Sequence, residues 1–273
     1  MKKIGYLGPV GTFTHDAALV YVREAEGQLI EYDSIQELIY AVAEGKVSQG
    51  VVPIENAMEG TVNLTIDILV HEVNLSIVKE LVIPIQHCLM ARKGIKTEDI
   101  TKVLSHPQAL AQCRKFLDKY LKNIKRETTE STAAAAVMVR DSQQSWAAIA
   151  NYRAADIYGL NILKEGIQDH NGNSTRFVVI AHHEAQWTGR DKTTLAFTVD
   201  HKPGSLFRAL KIFADASINL TKIESRPMRT LLGQYLFLVD LEGHKDDGVV
   251  QEALNQLYKQ CKFFKILGSY PRF

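Results

Sequence analysis

The chain has 273 residues, of which 46% are hydrophobic and 23% charged, with a formal net charge of +1. This balance is typical of a soluble globular protein, and the near-zero net charge argues against nucleic acid as a partner. Gly5, Gly8 and Pro9 interrupt the apolar start that a signal peptide needs, and no apolar run approaches the roughly 18 residues of a membrane span. We therefore expect a cytoplasmic protein.

No residue pattern predicts a metal or a disulfide framework. Cys88, Cys113 and Cys261 are far apart and form no CxxC pair, so we interpret them as small core residues. His182 and His183 are adjacent, and on a strand their side chains would point to opposite faces.

From Lys3 to about Ile180, short apolar runs alternate with helical patterns, as in "KIGYLG", "THDAALVYVREAE", "LIEY", "SIQELIYAVAEG" and "GVVPIEN". This alternation predicts an α/β sheet. Ser34 and Glu37 have the spacing of a capping box, which predicts a helix start.

A second block begins near Leu75 with "LSIVKELVIPIQHCLMAR" and continues through "KVLSHP", the helix "QALAQCRKFLDKYL" and the alanine-rich "STAAAAVMVRD". We expect two lobes with a cleft between them within a catalytic domain over residues 1–183. Lobe one is placed at about 1–74 and 165–183, and lobe two at about 75–164.

The polar stretch "HHEAQWTGRDK" marks a domain boundary. Beyond it, residues 192–273 have the order βαββαβ of a ferredoxin-like unit. We expect this unit to be separable from the catalytic domain. Its strand "QYLFLVDL" is expected at an exposed edge, where a second copy of the chain can pair.

The turn "GPVGTFTHDAAL" places two glycines before a helix start, where free backbone N–H groups attract anions. It lacks the GxGxxG and GxxxxGK[ST] patterns of dinucleotide and ATP sites. The alternative is an ordinary strand-to-helix turn with Thr12 or Thr14 as its cap.

Three further segments carry polar side chains at strand ends or helix starts. Glu55, Asn56 and Glu59 follow a strand, where open α/β sheets bind ligands. The other two pairs are Ser105 with Gln112, and Ser131 with Thr132. Each has a plain alternative as a helix cap or solvated residue, but together the loops predict a cleft for a small anion, without a cofactor.

Taken in order, the segments "GPVGTFTH", "VPIENAMEG", "SHPQALAQC", "STAAAA", "NSTRF", "HKPGSL" and "ESRP" resemble the prephenate dehydratase family. They span nearly the whole chain. The resemblance implies a two-lobed catalytic domain, like the folds of periplasmic binding proteins, followed by an ACT regulatory domain that binds phenylalanine. It implies no metal or organic cofactor.

The same resemblance assigns the residues of "TRF" to the catalytic signature, with Thr175 as the catalytic group. It places Asn56, Ser105 and Gln112 at the active site. Together with the helix starts and flanking groups, the expected substrate-binding set is Asn56, Ser105, Gln112, Thr12, Ser131, Thr132, Arg176, Phe177, Glu55 and Glu59. The expected effector-binding set is Pro203, Gly204, Ser205, Leu206, Glu224, Ser225, Arg226 and Pro227.

The function implied is the conversion of prephenate to phenylpyruvate, water and carbon dioxide in phenylalanine biosynthesis, regulated by phenylalanine, in a homodimer or homotetramer joined through the ACT domain. Thr175 would donate a hydrogen bond to the departing hydroxyl, and Glu59, Glu55 or water would supply the proton. Arogenate dehydratase and a non-catalytic amino-acid sensor are the alternatives.

Overall fold

The first lobe is built around a mixed sheet. The computed structural model describes residues 1–227 and 235–273. Its first strands are β1 Lys2–Leu7, β2 Gly27–Tyr32, β3 Gln49–Asn56, β4 Gly60–Thr61 and β5 Ser76–Pro84, and its helices are α1 Phe13–Ala25, α2 Ile35–Ala43 and α3 Asn63–His71. In this sheet β1 pairs in parallel with β2 and β3, and the other strand pairs are antiparallel.

The second lobe has its own mixed sheet, with strand order β10-β6-β9-β7-β8. Its strands are β6 Cys88–Ala91, β7 Lys102–Ser105, β8 Lys125–Thr128, β9 Trp146–Ala150 and β10 Asn161–Lys164, and its helices are α4 Pro107–Gln112, α5 Arg114–Tyr120, α6 Thr132–Asp141 and α7 Tyr152–Tyr158, with a 3₁₀ turn at Thr97–Asp99. The single helix expected over "QALAQCRKFLDKYL" is therefore divided, because Cys113 leaves the helical conformation at φ −110°, ψ 16°.

The chain then returns to the first lobe as β11, Ser174–Ala181, which lies antiparallel between β3 and β5 in the order β2-β1-β3-β11-β5, with β4 paired to β3. The second lobe therefore begins after Pro84, whereas the sequence placed its start near Leu75. Strand β5 belongs to the first sheet because it pairs with β11. Its two faces pack into different cores, with Val78 and Leu81 beside α1 and Ile77 on the opposite side. An apolar run carries no information about which sheet it joins.

The C-terminal unit consists of β12 Asp191–Thr198, α8 Ser205–Asp215, β13 Leu220–Pro227, β14 Tyr235–Glu242, α9 Gly248–Tyr258 and β15 Phe263–Pro271. Its antiparallel sheet has the order β13-β14-β12-β15, so the βαββαβ prediction is confirmed. The expectation for "QYLFLVDL" is wrong, because β14 is an interior strand and β13 forms the edge.

The face of this sheet that carries no helices packs against lobe one. Leu238, Leu267 and Tyr270 share a core with Val70 and Ile77 of the first lobe. Strand β15 approaches β5 so closely that a Cβ at Gly268 would lie 2.2 Å from the Ile77 carbonyl oxygen. A chain ending near His183 would expose this shared core, which argues against the separable domain expected from the sequence.

Candidate active site

A cleft of about 640 Å³ lies between the two lobes. This volume is within the range of about 300–1,000 Å³ that is usual for small-molecule sites. The side chains discussed below that line it are Thr12, Phe13, Asn56, His87, His106, Gln112, Ser131, Thr132, Thr175 and Phe177.

Thr175 and Asn56 meet on the floor of the cleft. The Asn56 Nδ2 atom donates a hydrogen bond of 2.8 Å to Thr175 Oγ1. The amide orientation is fixed because Asn56 Oδ1 accepts from the backbone N–H groups of Met58 and Glu59, at 3.0 and 3.1 Å. Since the threonine oxygen already accepts from Asn56, the Thr175 hydroxyl proton is free to be donated to a bound molecule.

An irregularity in β3 places Asn56 on the cleft side. Thr175 is opposite Asn56 and Arg176 is opposite Glu55, but Phe177 is opposite Pro53, so Ile54 has no partner on β11. This β-bulge shifts the alternation of side chains by one residue. Asn56 consequently shares a face with Thr175, and Glu55 shares the opposite face with Arg176.

Two helix starts face the cleft from different lobes. Thr12 caps α1, and its Oγ1 accepts from the His15 N–H at 3.2 Å. Ser131 caps α6 in the second lobe, and its Oγ accepts from the Ala134 N–H at 3.0 Å. The first backbone N–H groups of a helix have no intrahelical acceptor, so those after Thr12 and Ser131 can bind carboxylate oxygens.

Residues 85–87 and 165–173 cross between the lobes and meet at Gln112. The Gln112 Oε1 atom accepts from Asn173 Nδ2 at 3.2 Å and lies 3.0 Å from His87 Nε2. This contact requires the proton on His87 Nε2. Among the residues that the structure describes, no partner contacts Gln112 Nε2, His87 Nδ1 or Asn173 Oδ1, although all three atoms are buried. The Gln112 amide N–H therefore has no acceptor among the described residues, although Gln112 lines the cleft.

The cleft is neutral within and acidic at its mouth. Among its described lining residues none is lysine or arginine, whereas Glu31, Asp33 and Glu130 are exposed carboxylates. Burial lowers the pKa of His87 and that of His106 below their ordinary value of 6.5, so both imidazoles are neutral at pH 7. An anion in this cleft would be held by neutral hydrogen-bond donors and helix starts.

Three of the expected substrate-binding residues do not line the cleft. Arg176 lies on the opposite face of β11 and pairs with Asp240 at 2.6 Å. Glu55 turns the same way, pairing with Lys222 at 2.9 Å and with Arg176 at 3.3 Å. The Glu59 side chain lines a separate surface hollow beside β13. Adjacent residues on a strand point to opposite faces, so Thr175 and Arg176 cannot both face the cleft.

Ser105 is also held away from the cleft surface. It is fully buried, and its Oγ donates to the Ile149 carbonyl oxygen at 2.6 Å. The hydroxyl therefore joins β7 to β9 beneath the site. Thr12, Ser131, Thr132, Gln112 and Phe177, by contrast, all line the cleft as expected.

Sequence reasoning missed His87, His106, Phe13 and Asn173. His87 makes an edge-to-face contact with Phe13 at 5.6 Å between ring centroids. His106 caps α4, with its Nδ1 accepting from the Gln108 N–H at 3.3 Å. The polar pair Gln86 and His87 within the mainly apolar "VIPIQHCLMA" was the available signal, because a polar group beside a buried strand requires a partner.

The expected effector residues fall into two separate groups. Ser205 and Leu206 line a small hollow of about 130 Å³ at the start of α8, together with Tyr235 and Phe237. The other group lies on the edge strand β13, where Glu224 contacts Thr61 and Arg226 pairs with Asp67 at 2.8 Å. The side chains of Glu224 and Arg226 therefore face lobe one of the same chain.

Residues 1–227 and 235–273 contain neither a cluster suited to a metal ion nor a helix suited to span a membrane. No group of three or more histidine, cysteine, aspartate or glutamate side chains is arranged to hold a metal ion. No helix combines the length and the apolar character needed to cross a bilayer.

Family models match both domains. Residues 4–185 match the prephenate dehydratase model, and residues 193–257 match the ACT domain model. The chain belongs to the prephenate dehydratase family. It is an enzyme with a C-terminal ACT regulatory domain, so the alternative of a non-catalytic sensor is wrong.

Relatives that match over the full chain have the same activity in their names. The chain is 44% identical to a bifunctional chorismate mutase/prephenate dehydratase of Aquifex aeolicus, over 99% of this chain and 74% of the relative. It is 39% identical to the prephenate dehydratase of Bacillus subtilis, over 99% of each.

A solved structure shows the same fold. The crystal structure of a prephenate dehydratase from Arthrobacter aurescens in complex with L-Phe is 37% identical, has a TM-score of 0.89 and covers 99% of this chain and 90% of that one. The predicted fold class, a two-lobed α/β domain followed by a ferredoxin-like ACT domain, is confirmed.

Proposed function

We propose that the cleft between the lobes is where prephenate loses its ring hydroxyl and ring carboxylate, with Thr175 as the catalytic group. The carboxylate leaves as carbon dioxide, its bonding electrons enter the ring, and hydroxide departs and takes up a proton to become water. The ring becomes aromatic and keeps its pyruvyl side chain, so the product is phenylpyruvate. The Thr175 hydroxyl donates to the departing oxygen as negative charge develops there.

The observation that carries this proposal is the 2.8 Å hydrogen bond from Asn56 to Thr175. It occupies a lone pair of the threonine oxygen and directs the hydroxyl proton away from Asn56, toward the cleft. A donor oriented before the substrate arrives stabilises developing charge without having to reorganise. Threonine is too weak an acid to be the final proton source. Since Glu55 and Glu59 lie outside the cleft, water is the source that remains of those considered.

The helix starts at Thr12 and Ser131 are proposed to hold the two carboxylates of prephenate. They belong to different lobes, and direct contacts already join these lobes, including Asn151 Nδ2 to Asp16 Oδ2 at 2.8 Å. Gln112 adds its free amide N–H on the floor. Arg176 is not part of this carboxylate site, because its guanidinium lies behind the sheet.

Phenylalanine is the proposed effector, bound where residues 203–206 open helix α8. The solved relative with bound L-Phe supports this ligand. The edge strand β13 exposes Ile223, which is 48% accessible, and Phe207 of α8 and Tyr235 of β14 are also exposed. We propose that a second copy of the chain covers this edge and brings its own exposed Ser225 and Pro227 to the effector site, in a cytoplasmic homodimer or homotetramer.

Arogenate is the second candidate substrate. It carries an ammonium group where prephenate has a keto oxygen, and the acidic mouth formed by Glu31, Asp33 and Glu130 favours a cation. Offering both substrates in equal amounts to the purified enzyme and measuring phenylpyruvate against phenylalanine gives the ratio of the two kcat/KM values.

Replacement of Thr175 tests the catalytic assignment. Thr175→Val is nearly isosteric and should lower kcat for phenylpyruvate formation by about 10²–10³, the usual effect of losing one hydrogen bond to developing oxyanion charge. Thr175→Ser should keep much of the activity. Thr193→Val makes the same change at a buried threonine of the regulatory sheet and should keep kcat. Normal turnover by Thr175→Val would exclude the assignment.

A further inference from the structure

A buried group of charged side chains lies directly behind Asn56 and Thr175, at the contact between the two domains. We call it the interdomain charge cluster. Each basic side chain in the cluster pairs with at least one acidic side chain. The carboxylates of Glu80 and Asp240 are each only 1% exposed. Glu55, Glu80 and Arg176 come from the catalytic domain, and Lys192, Lys222 and Asp240 from the regulatory domain.

Asp240 is held rigidly within the regulatory sheet. Its Oδ1 accepts from Thr194 Oγ1 at 2.6 Å, and that hydroxyl also lies 2.6 Å from the Tyr270 hydroxyl. Its Oδ2 accepts from Arg176 Nη1 at 2.6 Å. Burial opposes the charged form of Arg176, but the Asp240 and Glu55 carboxylates raise the pKa of its guanidinium above the ordinary value, so the ion pair persists.

This ion pair holds the catalytic strand β11 opposite the bulge in β3. Arg176 follows Thr175 directly, and the register of β11 against β3 shifts between Arg176 and Phe177. The bulge locally disrupts the ladder of hydrogen bonds between β3 and β11. The position of Thr175 therefore depends on what anchors Arg176, and Asp240 makes the closest ionic contact with that side chain.

A second contact makes the same connection to Asn56. Lys222 of β13 pairs with Glu55 at 2.9 Å and donates to Thr61 Oγ1 at 2.7 Å. Glu55 precedes Asn56, and Thr61 lies opposite Glu55 in the β3–β4 pair. Each member of the Asn56–Thr175 hydrogen bond thus has a chain neighbour bound by a charge of the regulatory domain.

We propose that Asp240 of the regulatory domain is a positioning residue for the dehydratase reaction. Acting through Arg176, it fixes β11 so that the Thr175 hydroxyl points at the departing oxygen. Lys222 supports Asn56 through Glu55 in the same way. The inference rests on the proposed role of Thr175, and it makes the regulatory domain a structural part of the active site.

The test uses the full-length enzyme with Asp240→Asn, which keeps the size of the side chain and removes its charge. We expect kcat to fall by about 10–100-fold with KM little changed, because a small displacement of a catalytic group carries a cost of this order. Thr194→Val, which removes the hydroxyl that holds Asp240, should lower kcat less and in the same direction.

Two comparisons separate positioning from general destabilisation. Lys265→Met removes interdomain hydrogen bonds to the Leu69 and Val73 carbonyl oxygens, at 2.7 Å each, far from Thr175. It should lower the melting temperature and leave kcat unchanged. In a Thr175→Val background, Asp240→Asn should cause no further loss of kcat, because the group that it positions is already absent.

The proposal is overturned if Asp240→Asn and Thr194→Val both keep wild-type kcat while Thr175→Val is impaired. It is equally overturned if Asp240→Asn lowers kcat by the same factor with and without the Thr175 hydroxyl. If Asp240→Asn does not fold, Thr194→Val alone decides between these outcomes. Wild-type kcat in Thr175→Val would instead remove the role of Thr175, and this inference with it.

Discussion

Strands β3 and β11 present two different surfaces from neighbouring residues. On the cleft side, Asn56 and Thr175 form one neutral hydrogen bond. On the opposite side, Glu55 and Arg176 form ion pairs that reach the regulatory domain. The cleft side keeps donors free for a ligand, whereas the opposite side uses its charges within the protein. One pair of strands therefore carries both the proposed catalytic group and the contact with the regulatory domain.

This contrast explains why the charged residues of the family motifs do not all line the cleft. A substrate that carries two negative charges suggests a cationic site, yet the described lining of the cleft contains no lysine or arginine. Arg176 is used to join the domains instead. Neutral donors and helix starts can bind the carboxylates of a substrate at a low desolvation cost. A buried guanidinium would cost more, because it would have to exchange its carboxylate partner in the protein for the substrate in every turnover.

The largest expected effect is a loss of stability when the charge of Arg176, on the side that faces the regulatory domain, is removed. Arg176→Met leaves the buried carboxylates of Asp240 and Glu80 without this partner, which should lower the free energy of unfolding by about 3–5 kcal/mol. Urea titration measures it. Arg140→Met removes an exposed pair with Asp141 and should cost at most about 1 kcal/mol. Equal effects of the two variants would contradict the difference between the surfaces.

On the cleft side the expected loss is in activity. Asn56→Ala removes the hydrogen bond that orients Thr175 and should lower kcat/KM by about 10–100-fold, or about 1–3 kcal/mol, without shifting the pH profile. A shifted profile would instead assign Asn56 to proton transfer.

Ser105→Ala is the matched contrast to Asn56→Ala. It leaves the Ile149 carbonyl oxygen without its 2.6 Å partner. The expected cost is about 1–3 kcal/mol in the free energy of unfolding, with a smaller loss of kcat/KM than in Asn56→Ala. The reverse order of the two kcat/KM values would place Ser105 in the substrate site.

The smallest effect concerns the pH dependence of stability at the floor of the cleft. Burial lowers the pKa of His87 below 6.5, so the unfolded chain takes up a proton there before the folded chain does. The stability contributed by neutral His87 is present above the unfolded pKa and is lost as the pH falls below it. Between about pH 7.5 and pH 5.5, the melting temperature of the wild type should therefore fall more than that of His87→Gln. Parallel curves would show that His87 titrates as it does in the unfolded chain.

Local patterns in the sequence determined the secondary structure, the helix starts and the family of this protein. Hydrophobic periodicity gave the α/β alternation and the βαββαβ unit, because side-chain period depends only on local geometry. Ser34, Thr12 and Ser131 begin their helices as a cap should, with their side chains accepting backbone N–H groups three residues on. The order of short motifs was enough to indicate the family.

Only the tertiary structure decided which of the motif residues face the cleft. The unpaired Ile54 reverses the alternation of β3 and turns Asn56 toward Thr175 and Glu55 away from it. The sheet joined by β5 and the partners of Arg176 depend on residues that are distant in the chain, such as Asp240, 64 positions away. Bulge position, strand order and domain docking are fixed by long-range pairing and burial, and a local sequence pattern contains no information about them.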